Sequence, residues 1–234
     1  MEDYAFPKFI PCSDTAFIIT LGDAVSQQLH HKVISLYNSL KRQLPVGVKA
    51  LMPTYCAIMV VYDPMVTTPY HLQPGLEDLV AGLNYQNQTP YGQVIEIPVC
   101  YGGRFGPDLC QVARYCDMTP EEVISHHSTV EYSIFMIGSS PGFPFLGGLN
   151  SKLSIPHHTT PRICVPAGSI GIADTQTGIY AVESPGDWQL IGRTPLRLFR
   201  PNHFSPLCYQ IGDRIRFVPI KKEKYFQIQQ KEVP

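Results

Sequence analysis

Charge is scarce in this chain. Only 16% of its residues are charged, and 18 basic against 19 acidic side chains leave a formal net charge of −1. A protein that grips a polyanion needs a surplus of Lys and Arg, so neither nucleic acid nor an anionic membrane surface is expected as a partner. Long hydrophobic runs are missing as well. The longest clean one, CAIMVVY at 56–62, falls far short of the roughly 20 residues a helix needs to cross a bilayer. Positions 1–10 carry acids and a proline where a secretory leader would carry a basic region and an apolar run, so no leader is expected. The seven cysteines, at 12, 56, 100, 110, 116, 164 and 208, are scattered, odd in number and never spaced C-x-x-C. Disulfide frameworks and thiolate zinc sites use paired spacings. These are therefore expected to be reduced thiols of a cytoplasmic protein, several of them acting as small buried hydrophobes. Internal repeats and low-complexity tracts are absent.

What is present suffices for one or two domains: 234 residues, 44% of them hydrophobic. The first part alternates strand and helix patterns. A short apolar strand is predicted over 16–21, and Asp23 stands where a helix N-cap would. Val25, Leu29, Val33, Leu36, Leu40 and Leu44 then recur at helical spacing until Pro45 stops the run. Strands are predicted over 46–51 and 56–62, followed by a second helix with Leu76, Leu79, Val80 and Leu83 on one face. That order begins a ferredoxin-like α/β sandwich. Residues 82–92 are polar and turn-rich, which sets the expected boundary between an N-terminal α/β domain over 1–90 and a second domain over 91–234. The strand predicted over 94–100 could close the first sheet or open the second domain. Beyond it, Thr119-Pro-Glu-Glu122 has the form of a capping box with proline at the first helical position. Short strands follow over 132–137, 162–165, 169–172, 178–182, 188–191, 196–199 and 214–218, punctuated by Gly and Pro. Such closely spaced strands predict a barrel, which removes exposed edges. The expected fold class is α+β.

Five segments carry a more specific signal. They are YGGRFGPDL at 101–109, PGFPFLGG at 141–148, PR at 161–162 with VPAGS at 165–169, QTGIY at 176–180, and ESPGDWQLIGRTP at 183–195. Their order and spacing resemble the family of the B-type subunit of 5-oxoprolinase, also called allophanate hydrolase subunit 1, which includes Kip-type inhibitors of sporulation histidine kinases. The resemblance implies that the second domain is a cyclophilin-like β-barrel. It further implies a subunit of an ATP-dependent 5-oxoprolinase that opens 5-oxo-L-proline to L-glutamate. Such a chain is active only with a larger cyclophilin-like partner subunit and a third subunit, and the complex uses ATP. The same resemblance leaves open a regulatory protein that inhibits a histidine kinase, or a subunit of an allophanate or urea amidolyase-type enzyme. The chain departs from the family pattern at Gly138-Ser139-Ser140, at Arg104, and at Asp174-Thr175 ahead of Gln176.

Several residues could carry chemistry. The Gly- and Pro-rich segment 138–148, with Pro141, Gly142, Phe143 and Pro144 as candidate substrate-binding residues, forms either a rigid loop presenting N–H groups to a carboxylate or oxyanion, or a structural loop packed by Phe143 and Phe145. Gln176 and Thr177 offer an amide and a hydroxyl suited to a lactam or urea-like group, or simply cap a turn. Arg193 could pair with a substrate carboxylate or phosphate, or with Glu183 or Asp187 as a structural ion pair. His127 is the candidate catalytic acid or base; a histidine at a helix C-terminus also complements the helix dipole. Gly102-Gly103-Arg104-Phe105-Gly106 lacks the G-K-[ST] ending of a phosphate loop, so no nucleotide site is recognisable in this chain. The adjacent histidines at 30–31, 126–127 and 157–158 lack metal-ligand spacing, and no metal is expected.

Overall fold

A computed structural model describes residues 6–83 and 92–232. Residues 84–91, where the boundary is expected, lie outside the described residues. Contacts group the chain into two compact units, 1–90 and 91–234.

In the first unit the order is β1 (Lys8–Ser13), β2 (Ala16–Thr20), α1 (Gln27–Arg42), β3 (Val48–Pro53), β4 (Ala57–Tyr62) and α2 (Pro69–Gly82). The strands form one antiparallel sheet in the order β1-β2-β4-β3. This is the ferredoxin-like arrangement with β1 in the place of the usual last strand. Both helices bury their apolar stripes on the sheet, with Val33, Leu36, Leu40, Leu72 and Leu76 meeting Phe17, Ile19, Ile58 and Val60. Helix α1 is capped by Ser26, whose hydroxyl accepts from the Leu29 N–H at 3.1 Å, and not by Asp23. The helix begins later than the apolar spacing suggests, which leaves Val25 and Leu44 exposed beyond its ends. Strand β1 has no alternating pattern to betray it. It contains Pro11, a residue suited to a sheet edge, and it exists because β2 offers it a partner.

The second unit runs β5 (Val94–Tyr101), α3 (Leu109–Tyr115), α4 (Pro120–Ser128), β6 (Glu131–Ile137), β7 (Pro144–Gly147), β8 (Arg162–Val165), β9 (Ser169–Ala173), β10 (Gln176–Ile179), β11 (Ser184–Gly186), β12 (Gln189–Arg193), β13 (Arg214–Pro219) and α5 (Lys222–Glu232). Seven strands close a barrel in the order β10-β7-β6-β13-β5-β12-β9, while β8 and β11 form a separate ribbon. Strand β5 belongs to this barrel, paired parallel to β13 and antiparallel to β12. The core is built by inward residues including Ile97, Val99, Ile134, Leu146, Ile172 and Ile215. Helix α4 starts at the complete capping box: Thr119 accepts from the Glu122 N–H, and the Glu122 carboxylate accepts from the Thr119 N–H at 2.7 Å.

The second unit departs from the sequence expectation in several places. Residues 196–199 form no strand; Phe199 makes one isolated bridge to Leu207, because the barrel closes without this segment. Residues 144–147, expected as loop, form β7, which pairs with β6 and β10. Helix α5 is not legible in the sequence because it buries only Tyr225 and so has no apolar stripe. It is held through the Tyr225 ring, 4.5 Å from that of Phe105.

Candidate functional site

The segment 138–143 makes a closed turn. The Gly138 N–H donates to the Phe143 carbonyl at 3.0 Å, and the Phe143 N–H returns to the Ser140 carbonyl at 3.1 Å. Ser139 (φ 67°) and Gly142 (φ 77°) take left-handed backbone conformations to achieve this. At Gly142 a side chain is also excluded by packing, since a Cβ there would lie 2.7 Å from Leu207. The Gly142 carbonyl accepts from the Tyr209 hydroxyl at 2.5 Å, which anchors the turn.

The turn drives Phe143 into an aromatic cluster. Its ring stands edge-on to Tyr180 at 5.0 Å and to Trp188 at 5.2 Å, with Phe145 at 4.7 Å. Gly178 makes room for it: a Cβ at that position would fall 2.6 Å from the Phe143 ring. These rings form one side of a cleft of about 210 Å³, and Ser139, Ser140 and Asp187 supply polar groups around it. Burial pushes the Tyr180 phenol up to about 12, so it is a hydrogen-bonding group and not an acid near neutrality. Beside the cleft, His157 is held between two carboxylates, Asp187 at 3.0 Å and Asp174 at 3.4 Å, and its ring meets Trp188 edge-on.

A second constellation lies inside the barrel. His127, fully buried on α4, has its Nδ1 2.8 Å from the Tyr101 hydroxyl and its Nε2 2.9 Å from the Thr177 hydroxyl. The Thr177 hydroxyl donates its single proton to the Gly171 carbonyl at 2.9 Å. It must therefore accept from His127, which puts the imidazole proton on Nε2 and makes Tyr101 the donor to Nδ1. The order Tyr101 to His127 to Thr177 to Gly171 is thus a single directed chain of hydrogen bonds. The ring also stacks on Phe217 at 4.5 Å. Desolvation lowers the His127 pKa to about 3 and holds the imidazole neutral.

The seven candidate binding residues and His127 therefore divide between places. Phe143 lines the cleft; Gly142 and Pro144 are buried beside it, and Pro141 is exposed. Thr177 and Gly178 are neighbours on β10 and point to opposite faces, Thr177 inward to His127 and Gly178 outward to Phe143. Gln176 starts the same strand opposite Ala173. Arg193 pairs with Ser169, at the other end of β9 from Ala173. That separates it from Gln176 by about 13 Å along the strand. Its Nε donates to the Ala167 carbonyl at 2.8 Å, and Asp187, a candidate partner for it, is engaged with His157.

Sequence reasoning does not single out Asp108, which enters it only as one position of the segment YGGRFGPDL. Its buried carboxylate accepts from Arg162 at 2.7 Å and from the Leu190 N–H at 2.6 Å, with His158 at 3.3 Å. Three of the segments that carry the resemblance, those holding Asp108, Arg162 and Leu190, meet in this contact. In the glycine-rich turn before it, the N–H groups of Gly102, Phe105 and Gly106 all donate to backbone carbonyls. Among the described residues, no group of three or more His, Cys, Asp or Glu could hold a metal ion, and no helix is long and apolar enough to cross a membrane.

An α+β chain with a seven-stranded closed barrel and an aromatic cleft on the barrel's outer wall is what fold and site define together. It belongs to the carboxyltransferase family that includes the B-type subunit of 5-oxoprolinase: the family described as carboxyltransferase domain, subdomain C and D, matches residues 7–209. The chain is 38% identical over 222 residues to the B-type 5-oxoprolinase subunit of Bacillus subtilis (strain 168), covering 91% of this chain and 92% of that one. It matches the crystal structure of TTHA0988 with a TM-score of 0.77 and 32% identity, over 88% of this chain and 40% of that one. The match to Kluyveromyces lactis urea carboxylase has a TM-score of 0.74 at 15% identity, over 96% of this chain and 22% of that one, and is a likeness of fold.

Proposed function

We propose that this chain is one subunit of an ATP-using 5-oxoprolinase that opens 5-oxo-L-proline to L-glutamate, and that it is inactive without its partner subunits. The observation that carries this reading is the 38% identity to the B-type 5-oxoprolinase subunit across nine-tenths of both chains. Two features support the need for partners. In the glycine-rich turn that could have cradled phosphates, the N–H groups of Gly102, Phe105 and Gly106 are already bonded to backbone carbonyls. The chain also spans only 40% of the longer TTHA0988 chain it resembles, so a related protein carries further sequence alongside this part.

In this reading the aromatic cleft is where substrate meets the chain. A lactam ring is flat and largely apolar, with an amide to be read by hydrogen bonds. Phe143 and Trp188 offer edges and faces for the ring, and Ser139 and Ser140 offer hydroxyls for the amide. Pro141, Gly142 and Pro144 hold the turn that presents Phe143. Gln176 contributes from the adjoining strand. His127 and Thr177 act through β10: the buried chain fixes the strand from inside, and Gly178 on its outer face seats Phe143. They are positioning residues here, and Arg193 belongs to the frame through Ala167.

The test is reconstitution. The chain is purified alone and together with the two partner subunits of the 5-oxoprolinase assembly, and glutamate release from 5-oxoproline is measured with and without ATP. Turnover is expected only from the assembly with ATP. Robust turnover by the single chain would overturn the proposal of a shared site, and an assembly inert on 5-oxoproline would overturn the substrate.

A further inference from the structure

Away from the cleft, the segment after β12 and the last turn of α5 enclose a second hollow, of about 360 Å³. Arg197, Arg200, His203 and Lys231 line it, and Glu232 is the single acidic side chain among them. The Glu232 carboxylate is already engaged, by the Arg200 guanidinium at 2.5 Å and the Arg197 N–H at 3.4 Å. Among the described residues, the side chains of Arg197, His203 and Lys231 make no ion pair or hydrogen bond. A cation in the last turn of a helix is ordinary, because it complements the helix dipole. That accounts for Lys231. It leaves unexplained the Arg197 guanidinium and the His203 imidazole, which reach the same hollow from a separate segment beside the paired Arg200, in a chain whose charge is sparse and balanced overall.

We propose that this hollow is a binding site for a small anion bearing a phosphate or carboxylate group. Three guanidinium or ammonium groups against one carboxylate leave a local surplus of positive charge that an anion would neutralise. Arginine forks suit the planar or tetrahedral oxygens of such a group. The volume lies at the small end of the roughly 300–1,000 Å³ of ligand pockets, which fits a compact anion. The segment is also tied to the candidate cleft: Phe199 bridges Leu207, and Leu207 packs under Gly142 of the cleft turn. The proposal stands on the hollow's own residues and survives even if the 5-oxoprolinase reading fails.

The whole chain is titrated calorimetrically with pyrophosphate and, separately, with citrate, at one fixed ionic strength. Saturable one-to-one binding of at least one probe is expected, and the probe that binds names the group recognised. Arg197→Ala with Lys231→Ala removes two side chains that hold no other part of the fold, so the fold should survive, as thermal melts will check. The affinity should drop about tenfold or more. The matched control, Lys49→Ala with Lys152→Ala, removes the same net charge from residues that do not line the hollow and should leave affinity within about twofold. No saturable binding of either probe, or an equal loss in the control, overturns the site.

Discussion

His127 is neutral in the folded protein and its proton is placed by its neighbours, which has a consequence for stability against pH. Its folded pKa of about 3 lies below the ordinary value of 6.5. As pH falls, the unfolded chain therefore takes up a proton before the native state does, and protonation favours unfolding. The contribution is fully present above pH 6.5 and is lost on descending toward pH 3, at up to about 1.4 kcal/mol per pH unit. Urea melts at pH 7, 6 and 5 should show this slope, and His127→Asn should flatten it. An identical slope in the variant would mean that other groups govern acid stability. Gly178 gives the second prediction at this scale. Gly178→Ala sets a methyl 2.6 Å from the Phe143 ring, which should cost about 1–3 kcal/mol as overpacking. It should also move Trp188 fluorescence, because Phe143 lies against that indole. An unchanged melt and spectrum would show that the cleft wall does not depend on this close approach.

Between elements, Asp108 is the most consequential single contact. Its carboxylate joins the start of α3 to β8 through Arg162 and to β12 through the Leu190 N–H. Asp108→Ala would leave a half-buried guanidinium and a buried N–H without their acceptor, at a cost of about 3–5 kcal/mol. A melting curve within error of the wild type would refute this. The same scale separates what local chemistry announces from what it hides. The capping box of α4 needs only Thr119, Pro120 and Glu122, all neighbours in sequence, and it is legible at once. The carboxylate of Asp108 meets partners 54 and 82 residues away, and no local spacing signals that.

For the whole molecule, each unit has its own buried cluster, Phe17 to Leu76 in one and Ile97 to Phe217 in the other. The barrel closes with strands drawn entirely from the second unit. A fragment of residues 91–234 is therefore expected to fold alone, with a cooperative melt and the near-ultraviolet signal of Trp188. A fragment lacking both would show that the barrel depends on residues 1–90. By itself, the sequence determined the helices whose caps and stripes are local, most of the strands, and the α+β class, because these follow from hydrogen-bonding and burial periods within a few residues. It also brought Phe143 and Gln176 forward as candidates. Only the tertiary structure decided that β1 pairs at a sheet edge, that 196–199 stays outside a barrel already closed by seven strands, and that Thr177 and Gly178 face opposite sides of one wall. Those outcomes depend on register and closure. Both are set by partners far along the chain, and a one-residue shift of β10 would exchange the inside of the barrel for the cleft.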